Sequence, residues 1–430
     1  MSLLPDCSTH PEQRVEYPSP DDPEKNIKKF KAVAKTLPVP FVIYADIEAF
    51  LVPADETKES ASNTKVRQVH KPSGFSCLRV SQVPEFNGEM FTYSGENSMT
   101  VFFEHIKDQD RYVPSIQSDV KSMKTLTAEQ QHAAATTCEL CRGHFTKKKK
   151  KTNHHYHLSG LYIGSYCNSC NLKLKYKKGS NSDPTDEKMK KALKRKQTKF
   201  FNGTFRKFIK KAEDIARDND DLDTTDYMMT EDSYMIPVFF HNLKVYDSHL
   251  IILYITCEYA PRSIDVIPTS WEKFLSFQIG NLRFLVSSQF LTASLDTLVQ
   301  SLAADGTDKF SHTARHYPDS DLVFANGNYL YEYMDGRDTF LLTELPPIDS
   351  LLSEETITPE EYDRAQKVWR ELGIENMQQY HDLYLNLDVL LLADVFENVR
   401  QTYILDYGLD TAHYYTLPGF TFDACLKFPE

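Results

Sequence analysis

The chain has 430 residues, with 61 Asp and Glu against 49 Lys and Arg for a net charge of −12. That length exceeds one small core and points to two or three domains. No run of eighteen apolar residues occurs, so neither a membrane-spanning helix nor a membrane partner is expected. Residues 1–23 are acidic and proline-containing, without a basic stretch leading into an apolar one. No signal peptide is expected, and hence an intracellular, reducing compartment. There the eight cysteines read as metal ligands or buried thiols rather than disulfides.

The charge is polarised. Residues 142–211 carry 21 Lys and Arg against 3 Asp and Glu, a net of +18, which leaves −30 for the rest. A polyanionic partner fits the basic stretch and is disfavoured elsewhere unless a metal intervenes.

In chain order, residues 1–36 read as a polar leader ending in a short basic helix. Residues 39–51 form a buried strand, and 53–75 a polar loop. Strands follow at 75–80 and 89–93, then a helix at 98–106. Composition shifts near Thr127, and residues 110–232 read as an insertion with a helix near 186–209. The apolar pattern resumes with a strand at 238–240 and a helix at 248–255. Strands at 264–268, 274–279 and 282–287 come next, the last two joined at Gly280-Asn281 as a hairpin. A helix over 294–302 takes Ser294 near its N-cap. Thr358-Pro359-Glu360-Glu361 starts a helix that ends at Gly373. Apolar residues at three- and four-residue spacing make 376–403 the longest helix. The pattern is an α/β fold with a mixed sheet flanked by helices.

Three acidic motifs stand at the edges of apolar runs. Asp46-Ile47-Glu48 follows Pro40-Phe41-Val42-Ile43-Tyr44-Ala45. Asp46 and Glu48, two apart on an extended strand, face one side and can share a metal region. Asn242…Tyr246-Asp247 follows Ile236-Pro237-Val238-Phe239-Phe240. Tyr384 and Asp388 share a face of the long helix, where the tyrosine can orient a water while Asp388 holds a metal. Hard divalent cations select carboxylate oxygen, and two of them about 4 Å apart can clamp both oxygens of a phosphodiester displacement.

In that order the motifs resemble the three exonuclease motifs of family B DNA polymerases. Phe41 to Glu48 is similar to the first. His241-Asn242-Leu243-Lys244-Val245-Tyr246-Asp247-Ser248-His249-Leu250 is similar to the second, with Val245 where the family usually has glycine. Tyr380 to Asn398 is similar to the third in its protein-primed members, above all those of Maverick/Polinton elements and adinto-like viruses. Tyr331 to Asp335, Leu345-Pro346-Pro347 and Leu409 to Gly419 extend the likeness. The resemblance implies a ribonuclease H-like exonuclease domain split into 37–109 and 233–405, with 406–430 as the truncated start of a polymerase region. It implies two Mg²⁺ or Mn²⁺ held by Asp46, Glu48, Asp247 and Asp388. It also implies water alignment by Tyr384, and contacts from Asn242 and Tyr246 to the 3′ end of single-stranded or primer-template DNA. A terminal protein primer is the further partner implied. No palm motif of the D-x2-S-L-Y-P or Y-x-D-T-D type occurs, so the activity expected of this chain alone is a 3′→5′ exonuclease.

Within the insertion, Cys138-x2-Cys141 and Cys167-x2-Cys170 lie 25 residues apart. Four thiolates paired this way form tetrahedral Zn²⁺ sites. Lys147, Lys148, Lys149, Lys150 and Lys151 lie between the pairs as candidate DNA contacts. His154-His155-Tyr156-His157, with Asn171, resembles zinc-stabilised HNH nucleases of the recombination endonuclease VII type. That resemblance implies His155 as base and Asn171 at a metal, with His154 in place of the family's Asp. Histidine is a poor Mg²⁺ ligand, which favours a structural zinc module that grips DNA. Two alternatives to the exonuclease therefore stand: a silent single-stranded-DNA-binding remnant and an HNH-type endonuclease.

Overall fold

The computed structural model describes residues 28, 30–53, 68–124, 132–174, 235–243, 246–258, 264–270, 273–318, 321–324, 327, 329–330, 333–348 and 358–428. The helix expected near 186–209 lies outside them, as do Lys244 and Val245.

The strands are β1 (Phe41–Pro53), β2 (Gln68–Ser81), β3 (Phe91–Ser94), β4 (Lys151–His155), β5 (Tyr162–Cys167), β6 (Ile236–Phe240), β7 (Ile264–Pro268), β8 (Phe274–Ile279) and β9 (Leu282–Val286). The helices are α1 (Ser98–Ser118), α2 (Asn168–Leu174), α3 (Asp247–Glu258), α4 (Leu295–Ala304), α5 (Ser311–His316), α6 (Pro359–Glu371), α7 (Met377–Tyr407) and α8 (Leu417–Lys427). Seven strands form one mixed sheet in the order β3-β2-β1-β6-β9-β8-β7, and β4 and β5 form a separate hairpin. β1 is antiparallel to β2 and parallel to β6, and β6 is parallel to β9. The fold is α/β, as the sequence predicts.

Several boundaries differ. The region read as a loop over 53–75 contains the first residues of β2, which starts at Gln68 and pairs with the far end of β1. Polar Gln68, His70 and Lys71 lie on an exposed part of that ladder, so they carry no hydrophobic alternation for a reader of sequence to find. α1 runs twelve residues past its expected end at Ile106, crossing residue 110 and Pro114. In place of a basic helix at the end of the leader, Val33–Thr36 is a single 3-10 turn.

β1 lies inside the sheet between β2 and β6, and its alternate side chains serve two cores. Phe41, Ile43, Ala45, Ile47 and Ala49 pack with α1 and α3, whereas Val42, Tyr44 and Phe50 pack with α7. Burial on both faces explains why β1 reads as a continuous apolar run rather than an alternating one. Local signals set the helix ends. Thr358 and Glu361 make a reciprocal capping box on α6, Ser294 caps α4, and Asn376 caps α7, which closes on left-handed Gly408 at φ 60°.

A buried ionic cluster fixes α7 to the start of β1. Arg400 donates through Nε and Nη2 to both oxygens of Asp410, at 3.0 and 2.7 Å, and through Nη1 to Glu397 at 2.5 Å. Its Nη2 also reaches the Val39 carbonyl at 3.1 Å. Asp410 accepts from the Val39 and Ala412 amides, and the Tyr44 hydroxyl donates to Glu397 at 2.7 Å. Burial raises the Asp410 carboxyl, but Arg400 and the amides outweigh it and hold the group below its ordinary value. Replacing Arg400 with Met would leave two carboxylates buried without their cation. The expected loss is about 3–5 kcal/mol of unfolding free energy, measured by urea titration; wild-type stability in R400M would remove the cluster's anchoring role.

Candidate functional site

Asp46 and Glu48 share the face of β1 that carries Val42 and Tyr44, toward α7. The register between β1 and β6 pairs Tyr44 with Phe239, and β6 ends one residue later. β1 thus carries its two acids past the end of its parallel neighbour, where no ladder among the described residues covers that side. On the other side Asp46 lies opposite Ser76, and Glu48 opposite Gly74. A Cβ on Gly74 would stand 2.7 Å from His381 Nε2, so glycine is what lets α7 approach β2 here.

α7 supplies Asp388. Asp46, Glu48 and Asp388 each offer an oxygen within 4.8 Å of the other two, although Asp388 is about 340 residues downstream. Asp247 is the first residue of α3 and is buried. It interacts electrostatically with Asp46 and Asp388 but stands outside that tight triad. Tyr384 donates its hydroxyl to Asp388, so in this arrangement the ring steadies a carboxylate. Its face lies against Tyr329, with ring centroids 4.7 Å apart.

The site concentrates carboxyl groups in a buried position. Burial pushes the Asp46 carboxyl up to about 6, against the hydrogen bond from the Ile47 amide. Burial, then the charge of Asp46, raises Asp247 and Asp388 well above the ordinary carboxylate range. Asp388 Oδ1 is buried without a hydrogen-bond partner. A buried acceptor of this kind is costly unless it is ligated. Three hard oxygen donors converging around an orphaned atom suit Mg²⁺ or Mn²⁺.

Polar side chains clamp α7 to β2 and β3 beside the acids. Asn386 accepts from Ser76 at 2.7 Å and from Thr92, and Asp382 accepts from Ser94. His381 Nδ1 meets the Tyr329 hydroxyl at 2.6 Å. Burial lowers His381 to about 3, so its ring is neutral. Asp394, which falls within the stretch resembling the third motif, caps α5 by accepting the His312 and Thr313 amides; its role is structural.

Asn242 is exposed just past β6, and Tyr246 is half-buried in the turn before α3. The Tyr246 hydroxyl lies 3.0 Å from His70 Nδ1. Sequence reasoning missed His70 because that stretch reads as loop; the apolar residues at the far end of β1, which need a partner strand, were the available signal.

In the insertion, the Sγ atoms of Cys138, Cys141, Cys167 and Cys170 all lie within 4.8 Å of one another, and the cluster could hold a zinc ion. A turn through Arg142, at φ 53°, presents the first pair, and the end of β5 with α2 presents the second. Burial acts to raise the Cys138 thiol, but amides of Cys141, Cys167 and Leu140 outweigh it and lower it to about 7. A thiolate is the form that binds zinc. Lys147 to Lys150 are exposed. Lys151 departs from its expected role: its ammonium donates to the Ala133 and Ala135 carbonyls at 3.2 and 2.7 Å, inside the module. His154 is hydrogen-bonded to Asn171. His155 Nε2 lies 3.1 Å from the Lys121 carbonyl, which it can engage only as a donor, so that nitrogen is not free to act as a base.

No helix among the described residues is long and apolar enough to cross a membrane. Comparison with protein-family models, curated proteins and solved structures gave no match to this chain.

The raised carboxyls set a stability prediction. Asp46 binds its proton more tightly folded, at about 6, than its ordinary 3.8. Metal-free protein should therefore lose stability as pH rises from about 4 through 6, because the folded state then gives up protons that the unfolded state has already lost. Thermal unfolding across this range should show the decline in wild type, a shallower one in D46N, and recovery on adding Mg²⁺. Identical profiles for both proteins, unmoved by Mg²⁺, would contradict the electrostatic account.

Proposed function

We propose that this chain is the exonuclease portion of a protein-primed, family B DNA polymerase, removing nucleotides from the 3′ end of single-stranded DNA. The observation that carries the reading is the convergence of Asp46, Glu48 and Asp388 from β1 and α7, with Asp247 beside them. The order of the three motifs in sequence supports it independently. A ribonuclease H-like domain suits the sheet: an antiparallel β3-β2-β1 unit continues into parallel β6 and β9, with the acids on β1 where it runs past the end of β6.

Asp46, Glu48 and Asp388, with Asp247, would hold two divalent cations, which when bound stabilise charge on the attacking and leaving oxygens of the phosphodiester. The chain's own groups do the rest. Tyr384 fixes the orientation of Asp388 through its hydroxyl. Asn242, just past β6, and Tyr246, just before α3, can receive the terminal nucleotide. The exposed Lys147 to Lys150 supply positive charge for a phosphate backbone.

The four exposed lysines just before β4, between the two cysteine pairs, also favour a second reading, a DNA-binding remnant that does not cleave. One assay separates the two. With Mg²⁺, a 5′-labelled single-stranded oligonucleotide should shorten from its 3′ end. Asp46→Ala/Glu48→Ala should slow this by about a thousandfold, the scale on which loss of transition-state electrostatic stabilisation acts. Salt-sensitive binding without shortening would leave the remnant. Internal nicking that survives the double substitution would indicate an HNH-type endonuclease.

A further inference from the structure

Beyond its bulge at Glu48 and Ala49, β1 continues to Pro53, and β2 pairs with it from Gln68 onward. This end of the ladder bears His70 opposite Leu51, and His70 is exposed. The sheet core makes no use of it. Its ring nevertheless has a defined partner: Nδ1 is 3.0 Å from the Tyr246 hydroxyl, and the two rings meet edge to face at 5.4 Å and 67°. The contact joins residues 176 positions apart, and Tyr246 directly precedes buried Asp247.

The Tyr246 phenol carries one hydroxyl proton, and that proton needs an acceptor. If it points at a carboxylate, the phenol competes with the cations for their ligand. If it is donated to His70 Nδ1, both phenol lone pairs remain available as acceptors. An acceptor there matches a hydroxyl donor, and the 3′-hydroxyl of a DNA strand is the donor that a terminal nucleotide presents.

We infer that His70 is a positioning residue that holds the Tyr246 hydroxyl turned away from the carboxylates and ready to accept the 3′-hydroxyl of a single-stranded DNA end. The inference rests on the exonuclease reading. It adds a residue from the β1–β2 arm that none of the three acidic motifs contains, and a preference for ends that carry a free 3′-hydroxyl.

The test compares wild type, His70→Ala, His70→Asn, Tyr246→Phe and His70→Ala/Tyr246→Phe on a 3′-hydroxyl single-stranded oligonucleotide with Mg²⁺. His70→Ala should raise KM about fivefold, the worth of one neutral hydrogen bond, with kcat changed far less. Asn, whose side chain places a polar atom near the Nδ1 position, should recover most of that loss. Because His70 acts through Tyr246, the double variant should be no worse than Tyr246→Phe alone. Fluorescence anisotropy of the same oligonucleotide with metal chelated should show the same weakening for His70→Ala, without catalysis. An active wild type with His70→Ala at wild-type KM, or with losses that add in the double variant, would overturn the inference and leave the exonuclease reading standing. A wild type that shortens no DNA would sink both.

Discussion

The bidentate contact between Arg400 and Asp410 is the constraint on which the site geometry depends. It joins the last turns of α7 to the segment after it and, through the Val39 carbonyl and amide, to the chain just before β1. Glu397 and Tyr44 extend the tie to the middle of β1. With one end of α7 fixed against β1, the polar clamps at Asn386, Asp382 and His381 set the helix's rotation over β2 and β3. Asp388 then has little choice of position relative to Asp46 and Glu48. Such a cluster adds little net stability compared with an apolar replacement of the same shape; its effect is to penalise every arrangement in which the partners part.

The metal-site candidate is the converse. The Arg400 cluster satisfies its charges internally, whereas Asp46, Asp247 and Asp388 have no cation among them in the described residues; burial raises all three, and the charge of Asp46 adds to it at Asp247 and Asp388. Two acidic groupings within one core thus behave oppositely. One is neutralised by Arg400, and the other has no such partner among the described residues. The orphaned Asp388 oxygen marks the same difference at the level of one atom.

Much of this was legible in the sequence, for identifiable reasons. β1 and α7 carry long apolar patterns, and capping residues at Ser294 and Thr358 mark helix starts without reference to tertiary context. The spacing of Asp46 and Glu48 fixes a common face on any extended strand. The four-residue spacing of Tyr384 and Asp388 does the same on any helix, although not that the phenol would be spent on the carboxylate. The cysteine pairs declare themselves by spacing alone. What escaped depends on contacts far apart in the chain: the β2 arm with His70, the extension of α1 past Ile106, the burial of Arg400, and the capture of the Lys151 ammonium by backbone carbonyls. An exposed ladder lacks hydrophobic periodicity, and a buried arginine looks in sequence like any charged residue on a helix.

The most direct test of the account is where metal binds. Crystals soaked in Mn²⁺ and examined by anomalous scattering should show two peaks about 4 Å apart between the middle of β1 and α7, ligated by Asp46, Glu48 and Asp388, with Asp247 adjoining. Peaks confined to other acidic positions, with none at this triad, would contradict the claim that the three carboxylates are assembled to hold metal.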